Sequence, residues 1–245
     1  MGQLDAVLFD VDDTLVATTE FARRARHNAV RAMIDMGLDV PENELAKELE
    51  AVIAEFGSNY DHHLDKVLQR VSPRTWAGIN PALLVSAGVV AYHDTKFREL
   101  RPFPDVVPFL RALRDAGLRT GIVTHGLTTK QAEKLIRLGL IPHLGTNTIF
   151  ISDQVGISKP NPRLFQKALD ALNLTAARTM YVGDNPTNDI QPCRLLGMRT
   201  AWSRRAAKPG RGDQSPAAVA DHVIDDFRQL AGILRSQYGV NLNMA

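Results

Sequence analysis

Short, mostly apolar runs that stop abruptly at polar residues constrain this chain more than any other feature. They occur at residues 4–9, 118–123, 148–151, 179–182 and 198–202, and His222, Val223 and Ile224 add a short sixth. Runs of this length suit strands buried on both faces of a parallel sheet. Segments with helical spacing separate them. Val106, Leu110 and Leu113 line one helix that Gly117 ends, and Leu135 and Leu138 mark another that closes near Gly139. Asn161 reads as a cap before Pro162 at the first helical position, with Leu164, Phe165, Ala168, Leu169 and Leu172 on the apolar face. Ile190, Cys193 and Leu196 follow, ended by Gly197. Strand and helix alternate, which predicts an α/β, Rossmann-like parallel sheet covered by helices.

Residues 17–98 break that rhythm. Phe21, Ala25, Ala29, Ala32 and Met36 form one helical stripe, with Arg23, Arg24, His27 and Arg31 largely opposite. Pro41 opens a second helix in which Leu45, Leu49, Val52, Ile53 and Phe56 repeat before Gly57. Further helix is expected over residues 61–70 and 81–98. The expected organisation is an all-helical domain, residues 17–98, inserted into an α/β domain built from residues 1–16 and 99–245.

Composition excludes several function classes. The chain carries 29 basic and 27 acidic residues, a net charge of +2, and 6% aromatics. A nucleic-acid surface calls for a stronger basic excess with aromatics interleaved, so no nucleic acid partner is expected. The grouping of Arg23, Arg24 and Arg26 reads as the wet face of a helix, and that of Arg204, Arg205, Lys208 and Arg211 as a loop. No apolar run reaches the roughly 18 residues of a membrane span, and no membrane partner is expected. Asp5, without a basic start before it, is unlike a secretory signal. A single cysteine, Cys193, excludes an intrachain disulfide and a zinc site of several thiolates. A reducing cytoplasm is the expected location, with the chain acting as a monomer or homodimer.

In open parallel sheets ligands collect at the carboxyl ends of the strands. Asp10-Val11-Asp12-Asp13-Thr14 follows the first strand, Thr124-His125-Gly126 the second, Ser158-Lys159-Pro160 the third past a short loop, and Gly183-Asp184 the fourth, with Asp189 close behind. Asp10, Asp184 and Asp189 offer the hard oxygens that magnesium prefers. Such carboxylates repel one another unless a cation joins them. Lys159 suits a phosphate and balances Asp10. Thr124 offers a hydroxyl donor, and glycine at 126 leaves room for an anion near the backbone. Asp10 and Asp12, two apart, project to the same side of an extended chain, one as nucleophile and the other as proton shuttle. The competing reading of an acid such as Asp189 is a helix cap.

With these motifs the chain resembles the haloacid dehalogenase-type hydrolases. Their Asp-x-Asp-x-Thr stands at Asp10, Asp12 and Thr14, their second-motif threonine at Thr124, their lysine at Lys159, and their Gly-Asp-x4-Asp at Gly183, Asp184 and Asp189. His125 departs from the family's usual Asn or Asp. The helical insertion matches the family's cap after the first motif. Residues 57–65 and 86–97 are similar to archaeal members that act on small triose phosphates. The resemblance implies a phosphatase for a small phosphorylated metabolite. Asp10 attacks phosphorus to form an aspartyl-phosphate, and Asp12 protonates the leaving alcohol and then activates water. It also implies magnesium held by Asp10, the Asp12 carbonyl and Asp184, with Asp189 directly or through water. Thr14, Thr124, His125, Gly126 and Lys159 would surround the phosphate. The cap loop, through Asn59, Tyr60 and His63, would read the rest of the substrate; packing within the cap is the alternative for these residues.

Other reactions on the same fold weigh less. A 2-haloacid dehalogenase needs no metal, which leaves Asp12, Asp184 and Asp189 without a task. A phosphomutase uses the same motifs and differs only in the acceptor. A signalling receiver, a phospho-acceptor without turnover, lacks a helical insertion after the first strand. Cys193, Trp76 and Trp202 read as packing, and His27 and the His62-His63 pair as surface or loop residues.

Overall fold

The side chains of Leu8 and Phe9 point to opposite faces of the first strand, and each face meets its own layer of helices. The computed structural model describes residues 3–206 and 220–244, so Lys208 and Arg211 of the basic loop lie outside the described residues. The chain divides into two compact units, Met1–Ala17 with Arg101–Ala245, and Thr18–Leu100.

In the first unit the six apolar runs form six strands: β1 (Ala6–Phe9), β2 (Arg119–Thr124), β3 (Ile149–Ile151), β4 (Thr179–Gly183), β5 (Arg199–Ser203) and β6 (His222–Ile224). They make one sheet in the order β3-β2-β1-β4-β5-β6. All neighbours are parallel, with Phe9 in register with Ile122 on one side and Val182 on the other. The strand order reverses direction beside β1, which opens a crevice at the carboxyl ends of β1 and β4.

The second unit holds α1 (Thr18–Asp35), α2 (Glu42–Phe56), α3 (His63–Arg70) and α4 (Pro81–Glu99). Its core gathers Val30, Met33, Leu38, Leu45, Leu49, Val52, Val67, Leu68 and Leu84. Asn80 caps α4, its side chain accepting from Ala82 N at 3.0 Å, with Pro81 at the first helical position. The stripe expected on α1 needs correction at its end. Phe21, Ala25, Ala29, Val30 and Met33 are buried, whereas Met36 is 45% exposed. The four-residue step from Ala29 leads to Met33, and α1 ends at Asp35, so Met36 falls in the following turn. Arg23 and His27 lie on the exposed side as expected. Phe56 ends α2 at 42% exposed, where its ring carries Tyr60 instead of joining the core.

Helices α5 (Val106–Asp115), α6 (Thr128–Arg137), α7 (Ser152–Val155), α8 (Pro162–Ala171), α9 (Gln191–Leu195) and α10 (Phe227–Tyr238) complete the first unit. Leu8, Val123 and Tyr181 pack with Leu164, Phe165, Ala168 and Leu169 of α8 and Cys193 of α9. On the opposite face Phe9 meets the edges of Phe109 from α5 and Phe227 from α10, at centroid distances of 6.2 and 5.8 Å. Truncating one such buried ring costs about 3–5 kcal/mol. Asn161 caps α8, accepting from Arg163 N at 3.0 Å. No helix of the described residues is long and apolar enough to cross a membrane.

Candidate active site

β1 ends at Phe9, and the next residue, Asp10, is fixed by its own N–H, which donates to Val182 O on β4 at 2.9 Å. The chain then turns instead of continuing extended. Asp13 adopts φ 58°, a left-handed conformation that aspartate tolerates, and its N–H donates to Val16 O at 2.8 Å. Asp12 forms an isolated bridge with Val16. Thr14 is fully buried in this turn.

Lys159 reaches the end of β1 from the loop after α7. It is 8% exposed, and its Nζ donates to Asp10 Oδ1 at 2.7 Å, Asp189 Oδ1 at 2.6 Å and Tyr181 Oη at 2.8 Å. An ammonium has three donors, so this set satisfies it. Tyr181 Oη–H donates in turn to Val123 O at 2.7 Å. Burial alone would lower the Lys159 pKa, but the carboxylates of Asp10 and Asp189 override it and hold the lysine above its ordinary value. Burial pushes the Asp10 carboxyl up from 3.8 to about 7 against the lowering pull of Lys159, and the charges of Asp189 and Asp12 add to the rise.

After β4, Asn185 caps a single π-helical turn, Pro186–Ile190, its side chain accepting from Thr187 N and Asn188 N. The cap is therefore Asn185, and Asp189 is left for the site. Asp189 Oδ2 accepts from Asn185 N at 3.0 Å while its other oxygen holds Lys159. A Cβ on Gly183 would lie 2.5 Å from Asp189 Cγ, so this close approach requires glycine. Trp202 Nε1 donates to the Asp184 carbonyl at 2.9 Å and pins the start of the segment. Asp10, Asp184 and Asp189 each offer an oxygen, and these atoms lie within 4.8 Å of one another. An all-oxygen set of three carboxylates fits a hard divalent cation.

Thr124 ends β2, and its hydroxyl is buried without a hydrogen-bond partner among the described residues. Thr14 Oγ1 shares that condition. A buried hydroxyl of this kind calls for a partner, which a ligand or an ordered water can supply. Gly126 has φ 140°, and its N–H donates to Ser152 Oγ at 3.0 Å, so Ser152 takes up the amide expected to face an anion. The exposed His125 ring approaches the same hydroxyl, Nδ1 to Oγ 3.3 Å.

The carboxylate of Asp12 stands apart from the three-acid group. It is gripped from α6, Oδ1 by Lys134 Nζ and Oδ2 by Gln131 Nε2 at 3.0 Å. Lys134, Gln131, Ser152 and Tyr181 were absent from the sequence expectations. Gln131 carried a signal: it sits four residues before Leu135 on the apolar line of α6 and is 5% exposed. A glutamine at a core position needs a polar partner. A tyrosine in a buried strand, two residues before Gly183, is the equivalent signal for Tyr181.

Asn59, Tyr60 and His63 belong to the helical unit, where Tyr60 and His63 are knitted locally. The Tyr60 ring stacks on Phe56 at 4.9 Å and meets His62 and His63 edge-on, while His63 Nε2 lies 2.8 Å from Gly57 O.

Residues 4–197 match the model of the haloacid dehalogenase-like hydrolase family. The chain is 44% identical to a glyceraldehyde 3-phosphate phosphatase of Methanopyrus kandleri, covering 95% of this chain and 97% of the relative. It is 36% identical to one of Methanocaldococcus jannaschii, covering 95% and 98%. The crystal structure of a HAD phosphatase from Thermococcus onnurineus shares the fold with a TM-score of 0.67 at 22% identity, over 94% of this chain and 98% of that one. Sequence motifs, sheet order and the gathered carboxylates agree with these likenesses, and the chain belongs to the haloacid dehalogenase-like hydrolases.

Proposed function

We propose that this hydrolase is a magnesium-dependent phosphatase acting on glyceraldehyde 3-phosphate or a close small phosphomonoester. One observation carries the reading: a buried Asp10 at the end of the central strand, held by Lys159 and crowded by Asp184 and Asp189. The substrate follows from the names of the relatives at 44% and 36% identity over nearly the whole chain.

Asp10 attacks phosphorus in line. The bond from its carboxylate oxygen to phosphorus forms as the bond from phosphorus to the substrate oxygen breaks. Asp12 gives the leaving alkoxide a proton, then takes one from the water that hydrolyses the aspartyl-phosphate and frees Asp10. The unpartnered Thr124 hydroxyl holds one equatorial phosphoryl oxygen, and Lys159 holds another once it exchanges one of its three present partners for it. Thr14 and His125 complete the surroundings of the phosphate, while the Gly126 amide stays with Ser152. Asp10, Asp184, Asp189 and the Asp12 carbonyl would hold magnesium, which when bound neutralises the crowded carboxylates and the phosphoryl charge.

The helical unit acts as the cap in this proposal, with Asn59, Tyr60 and His63 reading the non-phosphate end of the substrate. One buried cysteine, Cys193, fits a reducing cytoplasm. The test is phosphate release across a panel of phosphorylated metabolites. Multiple turnover on glyceraldehyde 3-phosphate with magnesium, abolished by a chelator, is expected. Sugar-phosphate isomers without free phosphate would identify a mutase, and full activity in chelator would remove the metal.

A further inference from the structure

Two lysines divide the two aspartates of the first motif between them. Lys159 serves Asp10, and Lys134 serves Asp12. Lys134 and Gln131 are three apart on α6, so they share one helix face, and together they occupy both oxygens of the Asp12 carboxylate. The Lys134 side chain is 13% exposed and that of Asp12 33% exposed. The same Gln131 Nε2 donates to His125 O at 3.0 Å, which ties Asp12 to the loop after β2. The first turn of α6 is itself clamped, Thr128 N and Oγ1 donating to Asp153 Oδ2 at 2.9 and 2.7 Å. Helix α6 is thus tied to α7 at its first turn and to Asp12 through Gln131 and Lys134.

The turn that carries Asp12 gives this clamp a purpose. The backbone after Asp10 leaves β1 and reverses at Asp13, and two donors from α6 meet the two oxygens of the Asp12 side chain there. We propose that Lys134 and Gln131 are positioning residues, which set the Asp12 carboxyl where it can reach the leaving-group oxygen, the donated proton occupying a second lone-pair position that each carboxyl oxygen keeps beside its bond to α6. This rests on Asp12 being the proton donor of the proposed reaction. Neither residue touches the phosphate in this account, and their effect passes through Asp12.

The experiment compares Asp12→Asn, Lys134→Met, Lys134→Arg, Gln131→Leu and the double variant Asp12→Asn/Lys134→Met. Each full-length protein is assayed with magnesium on glyceraldehyde 3-phosphate, a poor leaving group, and nitrophenyl phosphate, a good one. Lys134→Met and Gln131→Leu should lower kcat on the alkyl phosphate roughly 10- to 100-fold, part of the 10²–10⁴ that acid–base catalysis contributes. KM should stay within about twofold, and the loss on nitrophenyl phosphate should be several-fold smaller. Lys134→Arg should recover most of the rate, and the double variant should be no worse than Asp12→Asn alone. Equal losses of Lys134→Met on both substrates, or a multiplicative loss in the double variant, would overturn the positioning role while Asp12→Asn stays selective for the alkyl phosphate. If Asp12→Asn itself loses equally on both substrates, the proton-donor reading fails, and the inference with it. Should Lys134→Met not fold, Gln131→Leu carries the same comparison through the other carboxylate oxygen.

Discussion

Lys159 Nζ sits 2.7 Å from Asp10 Oδ1, a contact between side chains that are 3% and 9% exposed. The pair spans the end of the central strand and the loop after α7, 149 residues apart in the chain. It joins the charge that attacks phosphorus, in the proposed reaction, to the charge that receives the phosphate.

Replacing Lys159 by Met leaves Asp10 and Asp189 buried without their cation. Breaking a buried pair by removing one partner costs about 3–5 kcal/mol. Denaturant unfolding in chelator should show a loss of that order, and magnesium should recover part of it. Turnover should be abolished even in the folded, magnesium-loaded variant. An unchanged unfolding midpoint in chelator would contradict the pairing.

Asp10 predicts a pH dependence for metal-free protein. Its carboxyl is raised by burial from 3.8 to about 7, so the folded state holds this proton more tightly than the unfolded chain. The stability it contributes is present below about pH 4 and is lost as pH rises through about 7. Magnesium needs the ionised carboxylate, so its stabilising increment should be small near pH 5 and grow through about pH 7. Thermal unfolding with and without magnesium across that range checks this, and an increment independent of pH would count against it.

Gly183→Ala tests the packing beneath the carboxylates. A Cβ there meets Asp189 Cγ at 2.5 Å, so the backbone or the Asp189 carboxylate beside Lys159 must shift. Turnover should fall at least tenfold and the magnesium needed for half-maximal rate should rise. A variant with wild-type magnesium dependence would show that Asp189 can move without consequence.

The six strands and the cap of α8 were legible because each rests on local patterns: apolar runs of strand length, and Asn161 before Pro162. The carboxylates were legible because the ends of parallel strands converge on one edge, so a motif after each strand is a motif at the site. Partners supplied across the fold were hidden. Lys134 and Gln131 lie 122 and 119 residues from Asp12, and nothing local distinguishes a helix lysine in solvent from one that grips a carboxylate. The reversal at Asp13 was hidden for a different reason: its left-handed φ occupies a position where the sequence pattern permitted extended chain. At Gly126 the sequence indicated open backbone, but Ser152, 26 residues on, takes the amide.

Tyr60→Phe and His63→Ala test the substrate-reading part of the proposal. Each should lower kcat/KM for glyceraldehyde 3-phosphate by about 1–3 kcal/mol while nitrophenyl phosphate turnover barely changes. The Tyr60 ring also stacks on Phe56, and His63 binds Gly57 O. Parallel losses on both substrates with a lowered unfolding temperature would assign these residues to packing within the helical unit.

The central claim is that Asp10 carries the phosphoryl group. Its most direct test is mass spectrometry of protein quenched in acid within one turnover, after mixing with glyceraldehyde 3-phosphate and magnesium. The account predicts one phosphoryl group on the peptide containing Asp10, absent from Asp10→Asn, which stays folded and loses several orders of magnitude in kcat. Phosphate on a different residue, or wild-type-like turnover by Asp10→Asn, would contradict it.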